Sequence, residues 1–284
     1  MNDYILEVCV DSVESARAAK AGGATRLELC ANLIIGGTTP GYALFEQVKQ
    51  ETGLPIRVLI RPRFGDFLYT EYEYQQMCAD IRYFADAGTD GVVIGSLNED
   101  GSLNEAQMRG MIESTTGKCG ITLHRAFDVC ADPIACYERA AELGIDTILS
   151  SGQKADALTG SKLLRKLVEM SGEKSSGSME EKRYGASSAF RDTSTKCLPE
   201  TDSILTGGPT ILVGAGVKAD NIAEIAGMTG AHAFHMSGKK ILSSGMCYRN
   251  EHVHMGLDGI SEFEIYRTDE EEIRRAVEIL RSLL

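Results

Sequence analysis

Runs of five to seven residues rich in Val, Ile and Leu recur eight times along this chain, each followed by a longer stretch with helical spacing. That recurrence constrains the fold more than any other feature, because strict alternation of strand and helix is the pattern of βα units around a parallel sheet. The predicted strands are 4–10, 26–30, 56–62, 91–95, 120–125, 147–151, 210–214 and 231–237. Seven connecting helices and one terminal helix accompany them. Ser12 caps the first, which Gly22 and Gly23 stop. Asp132 and Pro133 start the fifth and Gly144 ends it, and Asp220 and Gly227 bound the seventh.

Residues 171–207 do not fit this pattern. They hold 8 Ser and 4 Thr in 37 residues with no sustained apolar period, and read as a flexible insertion between strands six and seven. Setting those 37 aside from the 284 residues leaves 247, close to the ~250 typical of a (β/α)8 TIM barrel. A doubly wound sheet shares the same βα alphabet, but an even count of eight units favours closure. The expectation is an α/β protein with one barrel domain over residues 1–284.

Parity then assigns the two faces of each strand. Leu6, Val8 and Val10 alternate with Glu7 and Cys9, and Leu27 and Leu29 alternate with Arg26, Glu28 and Cys30. Helices cover the outside of a barrel, so Glu7, Cys9, Glu28 and Cys30 are predicted to face the lumen. Charged groups there need partners. Arg57 and Arg61 on the third strand are the expected ones, with His124, Arg125 and Asp128 completing a polar network. Such a network can simply fix strand register, but active sites of this fold lie at the same C-terminal strand ends.

Two chemistries follow. Cys9 and Cys30 end neighbouring strands on one face, and two thiols suit Cu(I) or Zn better than Mg or Ca. Buried cysteines also pack as small hydrophobes. His124 and His235 are further ligand candidates, and the His252/His254 pair carries little weight. The second chemistry is anion binding by Gly214, Gly216, Ser237 and Lys239 in the loops after strands seven and eight, where barrels often hold phosphate. Arg61, Arg63 and Arg125 could add charge from across the mouth. The full dinucleotide fingerprint is missing, so no nucleotide cofactor is expected.

Composition narrows the partners. With 29 Lys and Arg against 41 Asp and Glu, the net charge of −12 disfavours nucleic acid and anionic membranes. The sequence offers neither a membrane span nor a secretion signal to expect. Eight cysteines without a CxxC pair suggest reduced thiols in a cytosol.

Several ordered blocks stand out along the chain: Leu6-Glu7-Val8-Cys9-Val10-Asp11-Ser12, Gly22-Gly23-Ala24 with Arg26-Leu27-Glu28-Leu29-Cys30, and Gly36-Gly37-Thr38-Thr39-Pro40-Gly41. Ile60-Arg61-Pro62-Arg63, Phe67, Tyr69, 91–95, His124-Arg125-Ala126-Phe127-Asp128 and 212–217 continue the series. Together these blocks resemble the CutC family of copper homeostasis proteins. The resemblance implies a cytosolic, homo-oligomeric TIM barrel linked to copper, with Cys9 and Cys30 as the Cu(I) ligands. The alternative expectation is a barrel enzyme acting on a small anionic metabolite, a phosphorylated one included. There His124 is the general acid or base, Asp128 orients it, Glu7 and Glu28 are further carboxylates, and Arg61 with Lys239 holds the anion. A noncatalytic scaffold is the third reading.

Overall fold

The computed structural model of the chain describes residues 4–172, 207–250, 252, 253, 255 and 259–283. Eight parallel strands pair in chain order and close into a barrel. They are β1 (Ile5–Val10), β2 (Arg26–Leu29), β3 (Ile56–Leu59), β4 (Gly91–Ile94), β5 (Gly120–Leu123), β6 (Thr147–Ser150), β7 (Thr210–Val213) and β8 (Ala233–Met236), with β8 returning to β1. All eight predicted strands are present, each within three residues of its expected ends. The connecting helices are α1 (Val13–Gly22), α2 (Tyr42–Thr52), α3 (Glu71–Asp86), α4 (Glu105–Ser114), α5 (Pro133–Glu142), α6 (Ser161–Ser171) and α7 (Ala219–Thr229), and α8 (Glu270–Ser282) closes the ring. Local chemistry explains their starts. The Ser12 hydroxyl accepts from Ser15 N, Thr70 and Glu73 form a reciprocal capping box, and Asp132 accepts from two amides ahead of Pro133.

The alternation of side chains sorts the strands into two layers. Leu6, Val8, Val10, Leu27 and Leu29 join one large core with helix residues such as Ala16 and Ala19. Inside the barrel the apolar groups are few: Cys30, Leu59 and Val93 form one small cluster, and Leu149, Leu212 and Ala233 another. The rest of the lumen is polar. Across its floor Arg57 reaches from β3 to Asp146, 2.8 Å away, and to the Thr122 hydroxyl. Space for that long side chain comes from Gly91 and Gly120, where an added Cβ would lie 3.0–3.1 Å from Arg57 atoms.

Three expectations need correction. The seventh helix runs through Gly227 to Thr229 and is stopped by Gly230 in the left-handed conformation, so the first glycine in the sequence is not the terminator. Ser171 belongs to α6 and Gly172 caps it, so the insertion cannot begin at 171; its residues 173–206 lie outside the described residues. Ser237-Gly238-Lys239-Lys240 does not form a simple loop. Lys239–Ser243 is a strand, β9, that pairs antiparallel with β10 (Glu264–Thr268). β9 is exposed along its whole length and therefore lacks the buried alternation by which strands are recognised. His252 lies beyond β9, while His254 lies outside the described residues.

The junction between α1 and α8 seals the first and last βα units. A Cβ on Gly22 would lie 2.6 Å from Ile273 Cβ and 2.7 Å from the Glu270 carbonyl oxygen of α8. Alanine gains about 1 kcal/mol of helix propensity over glycine, whereas overpacking typically costs about 1–3 kcal/mol. Because one obstructing atom is backbone, the steric term should win. Gly22→Ala is expected to lose about 1–2 kcal/mol in urea unfolding; an unchanged or raised midpoint would show that α8 yields freely.

Candidate functional site

Glu7 organises the upper lumen. Strand register places it level with Arg26 on β2 and His235 on β8. Arg26 Nε donates to one carboxylate oxygen, and His235 Nδ1, 2.9 Å from the other, must be the donor because an ionised carboxylate only accepts. Burial favours the neutral acid, but Arg26 and then His235 outweigh it and hold Glu7 at about 2. His235 also resists burial: Cys9, Glu28 and Glu7 raise its pKa well above the usual histidine value. The predicted partner of Glu7 was on β3; Arg26, on the adjacent strand and at the lumen parity of Glu28, takes that place instead. Arg57 is drawn down to Asp146, and Arg61 leaves the strand towards the loops.

With Nδ1 fixed on Glu7, the His235 Nε2 faces Cys9 and Glu28. One potential ligand atom from each of Cys9, Glu28 and His235 lies within 4.8 Å of the other two. His235 Nε2 is 3.7 Å from Glu28 Oε2. Cys30 stands behind this group rather than in it. Its thiol is fully buried and donates to Glu28 Oε2 at 3.4 Å. Burial first, then Glu28 and Cys9, pushes the Cys30 thiol well up, and burial likewise raises Glu28. Cys9 thus joins Glu28 and His235 in one group, and Cys30 is hydrogen-bonded to the carboxylate of that group. Parity puts Cys9, Glu28 and Cys30 on one face, but only closure of β8 on β1 brings the histidine to the cysteine.

A cavity of about 450 Å³ joins this group to the opposite wall, where it is lined by Arg61, Phe67, His124, Arg125 and Asp128. His124 directly follows β5, and an added Cβ on Gly95, which directly follows β4, would lie 2.5 Å from its ring. Its Nδ1 accepts the Ala126 N–H at 3.1 Å. Burial, with Arg61 beside it, lowers its pKa to about 3. Asp128 does not orient this ring. Its carboxylate accepts from Arg125 Nε, Ser150 Oγ and the amides of Ser151 and Gln153, pinning the loop after β6. Sequence gave no distance between residues 128 and 150, so that role was invisible.

The predicted anion residues are dispersed. Arg63 binds Glu73 and Asp66 at the start of α3. Gly214 continues the β6 ladder through Ser150, and the Gly216 carbonyl accepts from Asn221; neither lines the mouth cavity. Lys239 sits over the Tyr266 ring on the hairpin and, with Ser237 and Cys9, lines a separate space of about 570 Å³. Glycine spacing marks a turn, and here the turns serve the backbone rather than a shared cradle.

A closed parallel barrel with a polar, thiol-bearing mouth is the class these features define. The CutC family model matches residues 4–178. A family protein CutC from Parabacteroides distasonis is 40% identical over 95% of this chain and 98% of its own. The copper homeostasis protein cutC homolog of Homo sapiens is 35% identical over 100% of this chain and 91% of its own. The crystal structure of CutC from Streptococcus agalactiae superposes with a TM-score of 0.65 at 26% identity, covering 82% of this chain and 98% of that one. Thiamine phosphate pyrophosphorylase from Pyrococcus furiosus, at 17% identity and a TM-score of 0.50, shares the fold alone. The chain belongs to the CutC family, a family of copper homeostasis proteins. None of the described helices is long and apolar enough to cross a membrane.

The His124 environment sets a pH dependence. A histidine whose folded pKa lies below its unfolded value stabilises fully above the unfolded value, near 6.5, and loses that contribution as pH falls towards 3. Relative to His124→Asn, the wild type should therefore lose stability across that acidic window. In ¹⁵N NMR the ring should remain neutral from about pH 5 to 8. A titration midpoint inside that range would overturn the assignment.

Proposed function

We propose that this protein handles Cu(I) at the barrel mouth, with Cys9 Sγ and His235 Nε2 as the leading donors and Cys30 as a further thiol. The observation that carries the reading is the convergence of Cys9, Glu28 and His235 ligand atoms within 4.8 Å. Thiolate and imidazole are donors of the softness that Cu(I) favours, whereas a carboxylate is a hard donor. Glu28 therefore fits better as the proton acceptor for Cys30 than as a principal ligand. Glu7 holds the His235 ring from behind, the arrangement by which outer carboxylates fix metal-bound histidines. The kinship with a human copper homeostasis protein supports the same assignment.

Under this reading the protein is cytosolic and homo-oligomeric, as the family resemblance implies. The seven described cysteines are all free thiols, in keeping with a reducing compartment. The enzymatic alternative finds less support. Its acid–base pair is not assembled, because Asp128 is committed to Arg125 and the β6 loop and His124 is neutral.

Anaerobic Cu(I) titration against a competing chelator tests the proposal. The wild type should retain copper, and Cys9→Ser and His235→Gln should each weaken retention about 10–100-fold. Cys30→Ser should have the smaller effect, since its proton must first leave a strongly buried thiol. A wild type that yields all its copper to the chelator would sink the reading, as would full retention by Cys9→Ser.

A further inference from the structure

Away from the copper donors, the mouth contains a buried cation without a counter-ion. The Arg61 side chain lies on the cavity wall in a residue only 8% exposed. Its terminal nitrogens donate to the carbonyls of Gly36, Gly37 and Gly65, and its guanidinium stacks on Phe67 at 5.1 Å. No Asp or Glu among the described residues forms an ion pair with it within 4.0 Å, whereas Arg26, Arg57, Arg63 and Arg125 all have carboxylate partners. Carbonyl dipoles satisfy hydrogen bonds but leave a full positive charge uncompensated, a costly condition in a buried position. One donor is also idle: Arg61 Nε is buried with no hydrogen-bond partner, as is the hydroxyl of the neighbouring Tyr69.

His124 supplies the second idle N–H. Its Nδ1 already accepts from Ala126, so the ring proton belongs on Nε2. That nitrogen is also buried and without a partner, in a residue only 4% exposed. His124 packs on the same Phe67 ring as Arg61, with centroids 4.7 Å apart. Two buried, unpartnered N–H groups and one net positive charge thus belong to residues that share the Phe67 ring and line a cavity of about 450 Å³. A water molecule could answer the hydrogen bonds but not the charge.

We propose that this wall binds a small organic monocarboxylate, whose two oxygens accept from Arg61 Nε–H and His124 Nε2–H. A single negative charge balances Arg61. A phosphate dianion would bring a second negative charge beside Glu28 and Asp128, which line the same cavity with His235 and Arg125 already facing them as partners. Leu33, Ile35, Val129 and Leu149 provide an apolar surface for a short hydrocarbon portion. The inference concerns a different wall from the copper donors and does not depend on metal binding.

The test uses copper-free full-length protein at constant ionic strength and neutral pH. Acetate, propionate, butyrate and benzoate are titrated calorimetrically, with inorganic phosphate as the contrasting anion, and ¹⁵N-histidine spectra are recorded in parallel. At least one carboxylate should bind saturably at about 1:1 with Kd below about 10 mM, outcompete phosphate and shift the His124 Nε2–H resonance downfield. His124→Asn retains an acceptor for Ala126 but loses the second donor, and should weaken binding about tenfold or more. Absence of saturable binding, stronger binding of phosphate, or unchanged affinity in a folded His124→Asn would each overturn the proposal. Should that variant fail to fold, the wild-type spectrum decides: an unmoved Nε2–H resonance at saturation overturns it.

Discussion

Everything at the mouth of this barrel depends on how Glu7 is kept ionised inside the lumen. A carboxylate without solvent access must have its oxygens answered, and the register of a closed parallel sheet brings Arg26 from one side and His235 from the other. Losing either neighbour would leave a buried charge, so the network ties three strands into one alignment. It also reaches across the seam where β8 meets β1. The polar group that makes closure specific is therefore the one that orients the histidine facing Cys9.

The same logic separates floor from mouth. Arg57, with Asp146 and the room left by Gly91 and Gly120, fills part of the lower lumen with a polar network. Higher up, the small apolar clusters around Leu59 and Leu149 leave space between them. The mouth cavity occupies the upper end, with thiol, carboxylate and imidazole on one wall and guanidinium and imidazole on the other. The two histidines are chemically distinct because their companions differ. His235 is surrounded by Glu7, Glu28 and Cys9, which favour its proton, whereas His124 has only Arg61 as a close charge and loses its proton readily.

This division bears on how a copper protein of the CutC family would work. Under the Cu(I) proposal the site would have to be soft enough to hold the ion yet able to release it, and the Cys30 proton, held against Glu28, would have to leave before that residue could bind as a thiolate. An anion on the Arg61 wall would occupy the same cavity and so alter the dielectric around that exchange.

Much of the architecture could be read from the chain by itself. Alternation of Leu6, Val8 and Val10 with Glu7 and Cys9 fixes which atoms face helices, because successive strand side chains point to opposite sides regardless of neighbours. Eight βα repeats favour a barrel over a doubly wound sheet, and Ser12, Asp132 and their like fix helix starts through purely local hydrogen bonds. What only the tertiary structure decided is who meets whom across the lumen. Arg26 rather than an arginine of β3 answers Glu7, His235 rather than Cys30 completes the group at Cys9, and Asp128 holds the β6 loop instead of His124. The β9–β10 hairpin escaped for a related reason, since its exposed strand carries no burial rhythm and its partner lies some twenty residues away. Periodicity is a property of neighbouring residues, whereas stagger and closure are set by the packing of the whole ring. Shifts of one strand against another by a few ångströms change every lumen pair while leaving the sequence pattern untouched.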